Sequence, residues 1–198
     1  LCELELCALV DADDLAVALV LLDGAGKPEL AMFNGHRMMY AASLPKIAIL
    51  LGAFVEVREG NMRLDAETRN SLTRMIRYSS NVEATRMLNR IGKQRLLEIL
   101  QSEEFQLYDP EVHGGLWVGK PYAKAGAVKR DPIYNLSHGA TPFEVARFYY
   151  MLDTGQLVNE QACIDMREML SKPGFYESDP QEIQRSTQRM ADLQAELE

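Results

Sequence analysis

MYAASLPKIAILLGAFVEV, residues 39–57, is apolar almost throughout from Tyr40 onward, yet Lys46 stands inside it three places after Ser43. The run is closed by Gly60 and reads as a helix over 43–59. Ile47, Ile49, Leu50, Leu51, Phe54 and Val55 point to every side of that helix, which predicts the buried central helix of the domain. A charge in such a place needs an explanation. Residues three apart share a helix face, so the Ser43 hydroxyl and the Lys46 amine can touch. Desolvation disfavours the ammonium form and lowers a lysine pKa, making the amine a base for the hydroxyl. The helix N-terminus would add unpaired N–H groups suited to an oxyanion. The same residues also allow a structural reading: Ser43 as N-cap, Pro45 as an early-turn proline, and Lys46 extending its amine to the surface.

Around this helix the composition is that of an ordinary globular chain. Of 198 residues, 47% are hydrophobic, 25% charged and 8% aromatic, enough to bury about 70% of the unfolded surface in one domain. A net charge of -8 argues against a nucleic-acid partner or an anionic membrane surface, since both require clustered Lys and Arg. No apolar run reaches membrane-spanning length, because Lys46 interrupts the best candidate. Cys2, Cys7 and Cys163 are an odd set with no C-x-x-C pair and make no disulfide framework. The chain opens at Leu1 with no basic region and cleavage site, which reads as a mature form or a fragment.

LAVALVLLDGAGKPELAMFN (15–34) predicts two strands joined by a Gly-rich turn at 23–28. Helices are expected over about 65–78, 82–91 and 93–101. Residues 108–140 are rich in Gly and Pro, carry no period, and are expected to form a long ordered loop. ATPFEVARFYYML then opens a helix with Thr141 as N-cap, Pro142 at the first helical position and Glu144 closing a capping box. After Ser171 the chain runs into a last helix, 180–197. Its Ile183, Met190, Leu193 and Leu197 form a narrow stripe on a Gln- and Glu-rich surface, which suits a partner helix and self-association.

YSSNVEATRMLNRIG (78–92) puts Ser79, Ser80 and Asn81 between two predicted helices. Ser80 and Glu83 read as a capping box, which leaves Ser79 and Asn81 unexplained. A proton relay by Ser79 and an amide or lysine contact by Asn81 would complete a catalytic set with Ser43.

SLPK opening an apolar helix, YSSN between two helices, and ATPFEVARFYYML together resemble the class A beta-lactamase and penicillin-binding serine hydrolase superfamily over residues 15 to 171. The resemblance implies a bacterial α+β fold, with a helical block beside an N-terminal β-hairpin whose sheet is completed by C-terminal strands. It implies an acyl-enzyme on Ser43, Lys46 as base, and Ser79 and Asn81 as the S-D-N contributors, with Ser80 in place of the aspartate. The implied substrate is a small-molecule beta-lactam or peptidyl amide, with a periplasmic or extracytoplasmic location. DPIYN (131–135) resembles the E-P-x-L-N segment that activates water, so Asp131 is the expected deacylating base and Asn135 the water- and substrate-holding residue. A plain Asp-Pro turn accounts for the same residues.

The family's K-[ST]-G strand is not found. Lys124-Ala125-Gly126 precedes the ATPFEV helix, and Lys172-Pro173-Gly174 carries a proline that removes the N–H such a strand would use. The expected organisation is therefore an incomplete hydrolase domain over 1–174 and a polar C-terminal helix over 175–198. The alternative function is an impaired or truncated relative that serves binding or assembly. No cofactor or metal is implied: His36, His113 and His138 are far apart, and no H-E-x-x-H, G-x-S-x-G or Walker loop occurs. His138 and Trp117 read first as structural residues of the long loop, with His138 also able to line the site.

Overall fold

The computed structural model describes residues 6–22, 27–123 and 128–171. A short helix, α1 (Cys7–Asp11), comes first, and its Cys7 is disulfide-bonded, a departure from the expectation drawn from the odd cysteine count. The expected hairpin follows as β1 (Val17–Leu21) and β2 (Glu29–Phe33), antiparallel with Val17 opposite Phe33 and Leu21 opposite Glu29. β3 (Met39–Tyr40) leads into α2 (Lys46–Arg58). Every residue from Lys46 to Glu56 is buried, as the apolar run demands of a central helix. It starts three residues later than its sequence pattern suggests, because 43–45 form a turn ahead of it.

Three amphipathic helices wrap α2. α3 (Ala66–Arg77) begins where the Asp65 carboxylate accepts the Thr68 N–H. α4 (Asn81–Ile91) and α5 (Lys93–Gln101) meet at Gly92, whose φ of +88° suits glycine. Each buries one stripe against α2 and its neighbours, through Leu72 and Met75, Met87 and Leu88, and Leu96 and Leu100. α6 (Pro142–Asp153) packs on β1 and on α7 (Glu160–Leu170). α7 also packs on α3 and buries Cys163, a free thiol, with Met166 and Met169.

The expected loop over 108–140 contains more order than its composition suggests. β4 (Tyr108–Asp109) pairs with β5 (Gly114–Gly115). β6 (Trp117–Val118) and β7 (His138–Ala140) join β3 in a three-stranded sheet of order β3-β7-β6. Strands of two or three residues are too short to show an alternating pattern, which is why the sequence hides them. Gly119 ends β6 where the chain passes hard against segment 129–137. A Cβ there would lie 2.0 Å from the Lys129 carbonyl and 2.8 Å from that of Ser137, so the close approach requires glycine.

The result is an α+β fold in which the three-stranded sheet meets α2 through β6. In the other sheet, β1 has only β2 as a strand neighbour among the described residues, and Leu19, Leu21, Leu30 and Phe33 remain exposed. No helix among the described residues is long and apolar enough to cross a membrane. The expected helix over 180–197 and both K-x-G look-alikes fall outside the described residues.

Candidate active site

Ser43 sits in the turn before α2, where three successive N–H groups, those of Lys46, Ile47 and Ala48, donate to carbonyls three residues back at 3.0–3.2 Å. This tight first turn eclipses residues i and i+3, so it stacks Lys46 on Ser43. The Lys46 Nζ lies 3.1 Å from Ser43 Oγ. Ser43 itself is exposed, whereas Lys46 is 2% exposed. The structural alternative for this pair does not hold: α2 has no side-chain cap, and the lysine turns inward.

The second wall comes from the α3–α4 connection. Lys46 Nζ donates to Ser79 Oγ at 2.9 Å, to the Ser79 carbonyl at 2.5 Å and to Asn81 Oδ1 at 2.9 Å. Ser79 can offer both oxygens because its backbone is left-handed, with φ of 52°, a conformation uncommon for a residue with a Cβ. Ser80 has the capping role read from sequence and accepts the Glu83 N–H. Only half of the expected box forms, since the Glu83 carboxylate accepts the Ser71 hydroxyl instead. Thr141 likewise caps α6, while Glu144 pairs with Arg147 at 2.6 Å rather than reaching back.

The Lys46 amine thus meets four oxygens. A charged ammonium has only three protons to give them, and a neutral amine has two plus one lone pair. Among the described residues no carboxylate forms an ion pair with it. Burial pulls its pKa down from 10.5 to about 8, which leaves a useful neutral fraction near neutral pH. In that form the lone pair can take the Ser43 proton while the two N–H groups hold Ser79 and Asn81.

Asp131 and Asn135 are placed differently from expectation. Asp131 is 2% exposed, and its carboxylate is occupied by its own loop. Oδ1 accepts from the Tyr108 hydroxyl at 2.5 Å, and Oδ2 accepts from the N–H groups of Ile133 and Tyr134. Asn135, left-handed at φ 57°, closes the turn by donating its N–H to the Asp131 carbonyl. Neither makes a hydrogen bond to Ser43, Lys46, Ser79 or Asn81. The Asp-Pro turn reading therefore describes this segment, and the carboxylate organises a loop that no regular ladder supports.

Two residues beside the lysine carried little sequence signal. The Tyr122 ring centre is 4.9 Å from Lys46 Nζ, and the ring stacks on His138 at 4.2 Å and 6°. Tyr122 lies in an aperiodic loop, and His138, on β7, comes near the lysine only behind the Tyr122 ring. No cluster of three or more metal-ligating side chains occurs among the described residues.

No family model matches the sequence, and no curated protein matches it. Among solved structures, the chain is similar to the beta-lactamase from Sphaerobacter thermophilus DSM 20745. The TM-score is 0.60 and the identity 19%, covering 83% of this chain and 68% of that one. The likeness is one of fold: a beta-lactamase-like α+β architecture.

Proposed function

We propose that this chain is a beta-lactamase-like serine hydrolase that is acylated on Ser43 by a beta-lactam or a related amide. The observation carrying this reading is the Lys46 amine held at once by Ser43 Oγ, Ser79 Oγ and Asn81 Oδ1. Neutral Lys46 takes the proton as the Ser43 O–H bond breaks and an Oγ–C bond forms at the amide carbonyl. The C–N bond then breaks, and the leaving nitrogen receives the proton from Lys46 through the Ser79 hydroxyl. Among the described residues the Ser43 N–H has no backbone acceptor, which supports its use as one oxyanion donor.

Hydrolysis also needs a base to activate water, and the Asp131 carboxylate, the residue expected in that role, is already engaged by Tyr108 and two backbone donors. That engagement favours a second reading, in which the acyl-enzyme forms and persists, as in a penicillin-binding acyltransferase. A non-catalytic binding or assembly relative is the remaining alternative. Incubation with a fluorescent penicillin, followed by intact mass, separates the three. A covalent adduct in the native chain and none in Ser43→Ala is expected. Rapid loss of the adduct marks a hydrolase and a stalled adduct the acyltransferase, while an adduct-free native chain would reject acylation altogether.

A further inference from the structure

Polar contacts alone do not explain why Lys46 is so dry. Ser43, Ser79 and Asn81 are all exposed, so the side of the amine that faces them is open to solvent at its rim. The Tyr122 ring covers another side, with its centre 4.9 Å from Nζ. Its own placement is pinned from α4: the N–H groups of Tyr122 and Ala123 both donate to Thr85 Oγ1, at 3.0 and 2.8 Å. Thr85 is one helical turn beyond Asn81, so one helix carries both a polar partner of the lysine and the anchor for its aromatic cover.

Behind Tyr122 stands His138 on the central strand β7. It is 2% exposed, and among the described residues neither ring nitrogen has a hydrogen-bond partner, nor does the Tyr122 hydroxyl. Buried polar atoms without partners are uncommon and cost stability. Three of them meet in this one stacked pair, which is an expense in stability. Such expenses gather where function requires a particular surface.

We propose that the Tyr122–His138 stack, latched by Thr85, is a positioning wall that shields Lys46 from water and holds its amine against Ser43. The proposal rests on the reading of Lys46 as the base for Ser43, and it adds one ring, Tyr122, that covers the base and two residues, His138 and Thr85, that act on the base only through that ring. The titratable groups facing this cluster are Lys120 near His138, Tyr40 near Tyr122, and Lys46 itself. Among the described residues no carboxylate counters them, so desolvation dominates and the lysine is held near 8. The same desolvation, with the two lysines, lowers the His138 pKa to about 4. The imidazole is therefore neutral wherever Lys46 is to act, and adds no second cation.

The wall can be tested without a substrate, by NMR titration of 13Cε-labelled lysine in the full chain. The native Lys46 resonance is expected to titrate near 8, and to move up by about one pH unit or more in Tyr122→Ala and in Thr85→Val. That shift is a roughly tenfold loss of neutral amine at neutral pH. Tyr122→Phe keeps the ring and is expected to leave the midpoint in place. Folding is checked by circular dichroism; if Tyr122→Ala does not fold, Thr85→Val decides. A folded deciding variant with an unshifted midpoint would overturn the wall. Penicillin labelling of the native chain is read separately. Labelling with unshifted midpoints rejects the wall and keeps the acylation, while shifted midpoints without labelling reject the acylation and keep the wall.

Discussion

Ser79 is the residue at which fold and chemistry most directly conflict. Its left-handed backbone costs on the order of 1 kcal/mol for a side chain with a Cβ, and that geometry turns both of its oxygens onto Lys46. Glycine would adopt the same backbone without the steric penalty. Ser79→Gly is therefore expected to raise the melting temperature slightly or leave it unchanged, while slowing acylation by roughly 10²-fold or more through loss of the proton relay. Thermal unfolding and adduct-formation rates measured on the same preparation test this. A variant as fast as the native chain would remove Ser79 from the mechanism. Asp131 shows the opposite balance at this scale. Its carboxylate satisfies three donors in an irregular loop, and burial next to this acceptor pushes the Tyr108 hydroxyl well above the usual phenol range.

At the scale of elements, α2 depends on a close approach to α4 and α5. Gly52 lies on the face of α2 turned to Leu96 and Ile91, and a Cβ there would come within 2.8 Å of Leu96 Cδ1 and 3.3 Å of Ile91 Cδ1. Leu96 is 1% exposed and has little room to move. Gly52→Val is expected to cost about 1–3 kcal/mol by overpacking, despite removing a helix-weakening glycine. A urea midpoint at or above the native value would contradict this packing. The helices were legible in the sequence because their signals are local: Asp65, Ser80 and Thr141 each cap the helix their position implies. The small sheets were not, because β3, β6 and β7 are defined by partners up to about a hundred residues away rather than by any pattern of their own.

For the whole molecule, two buried bases tie stability to pH. His138 has a folded pKa near 4, against 6.5 for the free side chain. As pH falls below 6.5 the unfolded chain takes up a proton that the folded chain refuses, so this contribution is present above 6.5 and is lost toward about 4. Lys46, at about 8 instead of 10.5, makes stability rise with pH across that interval for the same reason. Glu144 opposes His138 in acid: burial raises its pKa, so it favours the folded state as pH falls. His138→Phe keeps a flat ring against Tyr122 and removes the titration. Its urea midpoint is expected to vary less with pH between 6.5 and 4 than that of the native chain, and an equally steep decline in both would place the acid sensitivity elsewhere.

Ser43 and Lys46 could be paired from sequence because one helical turn separates them and the backbone alone brings i and i+3 together. Ser79 and Asn81 could be suspected from their place between two capped helices, and the resemblance carried by SLPK, YSSN and ATPFEV linked the two pieces. Tertiary structure decided what the lysine lives beside. It brought Ser79 and Asn81 onto the amine from 33 and 35 residues away. It set Tyr122 over the amine with His138 stacked behind the ring, and it gave the Asp131 carboxylate to its own loop. Spacing along a chain determines neighbours within a turn of helix. Burial, and with it the basicity of Lys46, depends on which distant segments close over the residue, and only the packed chain determines that.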